Sequence, residues 1–177
     1  MNKVDIADKT KEEGQIICGK VHKFGDNINT DFINPAQYME LSMEEMIAHA
    51  MEGADPDFSS KVQPGDIMVA GKNFGSGSSR ETAPLVIKGS GISVLVAEFF
   101  ARIFYRNAIN IGLKVLVCVT ASEIEAGAKL RIDPAAGTIE ELSTGRRHVC
   151  TALPKHILTL VEDGGLLPHL EKRFGQK

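Results

Sequence analysis

The sequence predicts a layered α/β domain of mixed sheets. Three observations point there. Apolar, β-branched runs of buried-strand length alternate with stretches of helical periodicity, and glycine- and serine-rich turns separate them. Toward the C-terminal third the hydrophobic period then changes to two. Long apolar runs suit strands covered on both faces, and a two-residue alternation suits antiparallel strands with one wet face, so a purely parallel doubly wound sheet is disfavoured.

The elements follow in order. From Ile16 to Phe24, β-branched and apolar residues sit among polar ones, a strand, and Gly25-Asp26-Asn27 supplies a turn. Ser42 caps a helix over Met43 to Met51, with Glu45 completing a capping box and Gly53 ending it. Asp55-Pro56-Asp57 and Pro64-Gly65-Asp66 read as turns around the short apolar strand Ile67 to Ala70. Gly71 to Ser79 is rich in small residues and leads into a helix from about Ser79 to Lys88. Ile92 to Ala97 is a buried strand; Phe100, Ile103, Phe104, Asn107 and Ala108 then fall on one helical face, with Arg102 and Arg106 on another. That arginine pair reads as a charged face, although Arg106 and Asn107 could also brace the loop. Val115 to Val119 is a further strand and Thr120 to Glu123 a helix start. Lys129 to Ile132, Thr138 to Leu142 and Arg147 to Thr151 form a β-meander across tight turns. Pro154 opens a helix to about Asp163, Gly164-Gly165 breaks it, and a last short helix runs to Arg173. With no internal repeat and no splitting linker, residues 1–177 read as one domain, its core about 15–165 and a helical tail over 166–177.

Composition narrows the function. At 177 residues and 43% hydrophobic, the chain buries enough surface to need neither disulfide nor metal for stability. Twenty Lys and Arg against 23 Asp and Glu give a net charge of −3, which offers no basic field for nucleic acid. Cys18, Cys118 and Cys150 lie far apart without zinc-ligand spacing, so no metal or cluster site of the chain's own is expected, and all three read as buried structural thiols. The polar first fourteen residues lack a secretory signal, and the most apolar stretch, Ile92 to Phe104, carries Glu98 and Arg102. A soluble cytoplasmic protein with no membrane contact is the expectation. His22, His49, His148, His156 and His169 show no triad or ligand spacing and read as structural or solvated.

The densest chemical signal is Asn73-Phe74-Gly75-Ser76-Gly77-Ser78-Ser79-Arg80-Glu81, where a strand gives way to a helix. Glycines admit a ligand close to the backbone, and free N–H groups at a helix start bind carboxylate or phosphate oxygens. Arg80 can add a bidentate fork, and a serine hydroxyl can move a proton if its alkoxide is stabilised. The Walker, dinucleotide and nucleophile-elbow patterns all fail on inspection. A plain alternative stays open: a glycine-rich turn whose serine caps a helix while Arg80 sits in a surface ion pair. The polar loop Asp26 to Pro35 is a second candidate, with a chain of Asx turns as its own alternative.

Three segments in order, Asn29 to Tyr38, Asn73 to Glu81 and Phe100 to Leu113, resemble the small subunits of 3-isopropylmalate dehydratase, the separate swivel domain of the aconitase superfamily. The resemblance covers roughly residues 15 to 165 and implies a three-layer β/β/α swivelling domain. It also implies a large-subunit partner carrying a [4Fe-4S] cluster, in a heterodimer or heterotetramer, with no cofactor on this chain. By the same resemblance Ser78 matches the serine that takes the carbon-bound proton, and Arg80 the arginine that binds a substrate carboxylate. Asp31 matches an acidic loop residue that orders the active site, while the resemblance assigns Ser79, Gly77 and Thr30 to substrate binding. Met39, Glu40 and Leu41 stand where the family adjusts substrate choice. The implied activity is a hydro-lyase of leucine biosynthesis acting on a small dicarboxylate.

Two departures qualify this. Ser76 replaces a cysteine common in the family, with little expected effect, and Glu40 is an unusual acidic residue in the specificity stretch. Facing the cleft, Glu40 would repel a third carboxylate, while Met39 and Leu41 would line an alkyl group. Dimethylmalate, citraconate or methylmalate, and homoaconitate remain alternative substrates, and a noncatalytic binding module the alternative of another class.

Overall fold

The protein's structure, a computed structural model, describes residues 16–175. The N-terminal stretch from which the absence of a secretory signal was argued lies outside them. Seven strands form one sheet in the order β4-β3-β2-β1-β5-β6-β7. The parallel half comprises β1 (Ile17–Lys23), β2 (Ile67–Ala70), β3 (Val94–Ala97) and β4 (Lys114–Val117). The antiparallel half is the expected meander, β5 (Lys129–Asp133), β6 (Thr138–Glu141) and β7 (Arg147–Val149).

β1 joins the halves by dividing its own length. Residues Ile17 to Lys20 pair with β5, whereas Val21 to Lys23 pair with β2. The sheet therefore curls at β1 and lays its antiparallel half over one face of the parallel half. Ile67, Val69, Val94, Val96 and Leu116 share a buried cluster with Leu130, Ile132 and Ile139 on that side. On the opposite face, Met68, Ala70, Leu95, Ala97 and Val115 pack with helix residues such as Val86, Ile87, Phe104 and Ala108. Every residue of β2 and β3 is buried, consistent with their unbroken apolar runs. In β5, Leu130 and Ile132 are buried and Lys129 and Arg131 exposed, the period-two signature. Three layers result, helix, sheet and sheet. Each fully buried aliphatic side chain contributes about 1.5–3 kcal/mol.

The helices are α1 (Thr30–Ile33), α2 (Met43–Ala48), α3 (Phe58–Lys61), α4 (Thr82–Gly89), α5 (Arg102–Asn110), α6 (Lys155–Glu162) and α7 (Leu166–Phe174). The capping box at Ser42 and Glu45 forms as expected. Its helix stops early: His49 is the C-cap and Met51, not Gly53, turns left-handed at φ 62°. Tertiary contact explains this, because the buried Met51 donates its N–H to Ile33 O at 2.8 Å. Gly53 serves a close approach, since a Cβ there would lie 2.7 Å from Phe32 Cα. α4 begins at Thr82 rather than Ser79. Pro84 is the reason: it is tolerated in the first helical turn, but deeper in a helix its ring clashes with the carbonyl four residues back.

Not all three cysteines are buried. Cys118 and Cys150 are, on the sheet-sheet side, but Cys18 is exposed because it alternates with the buried Ile17 on β1. Four histidines meet carboxylates: His22 with Asp66 at 2.8 Å, His49 with Glu52 at 2.5 Å, His169 with Asp163 at 2.7 Å, and His148 with Glu141 at 2.9 Å. His148 also meets the Thr120 hydroxyl at 2.9 Å.

Candidate active site

The loops that follow β1, β2 and β3 converge at the carboxyl ends of those strands, the usual place for a ligand in a sheet of this kind. The first two run as a ladder. Asn27 N–H donates to Lys72 O at 2.8 Å, Gly75 N–H to Ile28 O at 2.7 Å, and Thr30 N–H to Ser76 O at 2.9 Å. Asn27 and Asn73 both adopt positive φ, and their side chains bond at 3.0 Å. On the other flank, Phe74 N–H donates to Phe99 O at 3.0 Å and Ala101 N–H to Phe74 O at 2.9 Å. The Gly-Ser turn is thus held from both sides.

Its two glycines are required by conformation and space. Gly75 has φ +76° and would place a Cβ 2.2 Å from Phe104 Cγ, and Gly77 has φ +101° beside Thr30 Oγ1. Ser78 and Ser79 follow on an exposed turn. They precede α4 instead of capping it, since its N-cap is Glu81 and no side chain caps it. Thr30 is buried, and its hydroxyl accepts the Ser78 N–H at 3.1 Å, bracing the turn from beneath.

The polar loop after β1 contains α1, which periodicity could not reveal in four residues. Asn29 caps it, accepting from Asp31 and Phe32 N–H at 2.9 and 3.0 Å. The cap turns Asp31 toward Arg80, where Oδ1 meets Nη1 at 2.6 Å. The same Nη1 donates to Asn34 O at 3.0 Å and faces Thr30 O at 3.5 Å. Both N–H groups of Nη1 are therefore engaged, while among the described residues Nε and Nη2 meet no acceptor and remain as a side-on fork. The Arg80 side chain is 13% exposed and that of Asp31 63%. An ion pair does form, as the plain alternative had it, but on a guanidinium sunk in the loop junction.

Met39, Glu40 and Leu41 lie just past a 3₁₀ turn, Ala36–Tyr38, and all three are exposed. Tyr38 anchors them by donating to Glu52 Oε1 at 3.0 Å and stacking on His49 at 3.9 Å. No hydrogen bond or ion pair joins them to Ser78 or Arg80 among the described residues. Arg102 and Arg106 are exposed on α5, and Asn107 is buried beneath. Asn34, which the sequence placed in the candidate loop without a role of its own, is wholly buried at the junction of α1 and α4.

Cysteine placement also tests whether the chain could hold an iron–sulfur cluster. Cys18 stands exposed on β1 while Cys118 and Cys150 lie within the apolar layer, and no three of the described His, Cys, Asp and Glu residues converge on a metal position. The described residues do not fit such a group. No helix among the described residues is long and apolar enough to cross a membrane.

Residues 4–119 match the aconitase C-terminal domain. Over 163 residues the chain is 50% identical to the isopropylmalate/citramalate isomerase small subunit of Methanocaldococcus jannaschii, covering 91% of this chain and 97% of that one. It is 49% identical to the 3-isopropylmalate dehydratase small subunit 1 of Thermotoga maritima, covering 89% and 96%. The crystal structure of a 3-isopropylmalate dehydratase from M. jannaschii superposes with a TM-score of 0.85 at 42% identity, covering 90% of this chain and 95% of that one. The chain therefore belongs to the aconitase C-terminal domain family, among small subunits of the 3-isopropylmalate dehydratase type.

Proposed function

We propose that this chain is the small subunit of a heteromeric hydro-lyase that interconverts 2-isopropylmalate and 3-isopropylmalate by dehydration and rehydration, a step of leucine biosynthesis. The observation that carries the reading is the state of Arg80. Asp31 and the carbonyls of Thr30 and Asn34 occupy one edge of its guanidinium and, among the described residues, leave a complete side-on fork free, two residues beyond the exposed Ser78. That fork matches a carboxylate in geometry and charge.

Ser78 takes the proton from the substrate carbon and returns it during rehydration. A serine hydroxyl is a weak base, so its alkoxide needs nearby positive charge, and Arg80 supplies it. Asp31 keeps the guanidinium aimed, Thr30 fixes the Ser78 backbone, and Gly77 lets the two loops approach. An exposed turn cannot exclude water alone, so a large subunit closes over it. The [4Fe-4S] cluster belongs to that partner, where its iron supplies Lewis-acid chemistry. The chain is read as one swivel domain working in the cytoplasm.

The isomerase small subunit from M. jannaschii, named for both isopropylmalate and citramalate, favours a second reading in which a smaller malate is also a substrate. Met39 and Leu41 would line the alkyl group. Glu40 is exposed, so water screens it, and its repulsion of a third carboxylate at about 4 Å is about 1 kcal/mol until the partner covers it. Rates with isopropylmalate, citramalate, dimethylmalate and homoaconitate decide between these, and an unchanged ranking in Glu40→Arg removes Glu40 from specificity.

The deciding test is reconstitution. The purified chain should show no turnover until a cluster-loaded large subunit is added, and Ser78→Ala should lower turnover in the complex at least about a thousandfold, as base catalysis and positioning together require. A variant retaining more than about a tenth of wild-type turnover would exclude Ser78 as the base.

A further inference from the structure

Asn34 is 0% exposed, yet among the described residues its Oδ1 has no hydrogen-bond partner. An apolar side chain would avoid stranding that buried acceptor, so the amide must serve something else. Its Nδ2 donates to Thr82 Oγ1, at the first residue of α4, at 2.9 Å and lies 3.5 Å from Met46 Sδ. Turning the amide over would give Oδ1 the threonine hydroxyl but carry Nδ2 to the position where Oδ1 now finds no partner, stranding both N–H groups. Meanwhile the main-chain carbonyl of Asn34 accepts from Arg80 Nη1 at 3.0 Å. One residue thus grips the guanidinium with its backbone and the chain just past that arginine with its side chain.

We propose that Asn34 and Thr82 form a tether that positions the guanidinium of Arg80 for the substrate carboxylate. The inference rests on the functional reading above, in which Arg80 binds that carboxylate. Nη1 has only two N–H groups, and the Asn34 carbonyl takes one while Asp31 takes the other. The side-on fork is aimed only while both acceptors stay in place. The Asn34–Thr82 bond holds the carbonyl against the start of α4 and so sets the plane of the fork. Asn34 and Thr82 are positioning residues that touch no substrate.

The test uses the complex reconstituted with its large subunit and 3-isopropylmalate as substrate. Thr82→Val removes the acceptor at nearly constant shape and should raise KM about tenfold, as expected when a bidentate group is held loosely. Thr82→Ser keeps the hydroxyl and should restore KM to within about twofold of wild type. On an Arg80→Lys background, where there is no fork to aim, Thr82→Val should change KM no further. In the isolated chain, the Arg80 guanidinium NMR signals should show hindered rotation that Thr82→Val and Asn34→Ala both release. Unchanged KM and rotation in Thr82→Val, failure of Thr82→Ser to rescue, or a full additional loss on the Arg80→Lys background would each overturn the tether. An unchanged KM in Arg80→Lys alone would instead remove the carboxylate role of Arg80, and the functional reading would fall with the tether.

Discussion

Replacing Gly75 by alanine joins the fold to the site, and its cost can be worked out from the geometry. Gly75 has φ +76°, and an added Cβ would meet Phe104 Cγ at 2.2 Å, Cβ at 2.5 Å and Cδ2 at 2.6 Å. Phe104 has no room to retreat. It is 3% exposed, meets Phe74 edge-on at 5.2 Å and stacks on Phe100 at 6.3 Å. Left-handed backbone costs an alanine about 1–2 kcal/mol, and overpacking a tight core adds about 1–3 kcal/mol. The total of about 2–5 kcal/mol, divided by a mid-range urea slope of about 2 kcal/mol/M, lowers the unfolding midpoint of the isolated chain by about 1–2.5 M. Gly145→Ala is the control: φ is +71° there but nothing lies within 4 Å, so only the backbone cost remains. Gly75 also donates to Ile28 O at 2.7 Å, so its displacement carries the serine turn with it. In the reconstituted complex, Gly75→Ala should lose about a hundredfold in kcat/KM, as a displacement of about 1 Å can cost, and Gly145→Ala almost nothing. Equal urea midpoints for the two variants would refute the close packing of the turn on Phe104.

Two further measurements probe the parts away from the site. The hydrogen bond from His148 holds the Glu141 carboxyl below its ordinary value of 4.5, helped by the Thr144 hydroxyl and opposed by burial. A depressed carboxylate contributes stability that is complete above its unfolded value and lost as pH falls through the folded one, so this contribution should fade below about pH 4.5. Glu141→Gln should therefore be less stable than wild type at neutral pH, with the gap narrowing as pH falls below about 4.5; a gap independent of pH would count against the pair. Burial, with the neighbouring Cys118 adding to it, pushes the Cys150 thiol up to about 12. A thiol reagent near pH 8 should label one cysteine of the folded chain quickly and all three after denaturation, and Cys18→Ser should abolish the fast reaction.

Local signals carried much of this protein in its sequence. Unbroken apolar runs mark β2 and β3, alternation marks the meander, and Ser42 with Glu45 marks the start of α2. The glycines and serines of residues 75 to 79 mark a turn, and three ordered segments identify the family. These features depend on steric preferences and periodicities within a few residues, which any window of sequence displays. What joins distant segments was decided by the tertiary structure. Curling at β1 depends on two partners dividing one strand, and neither partner is written in the strand itself. Arg80 meets a carbonyl 46 residues away only because the loops after β1 and β2 lie side by side, and His148 finds Glu141 only across paired strands. Such contacts need the chain entropy of long loops to be overcome by the whole core at once, so no local pattern encodes them.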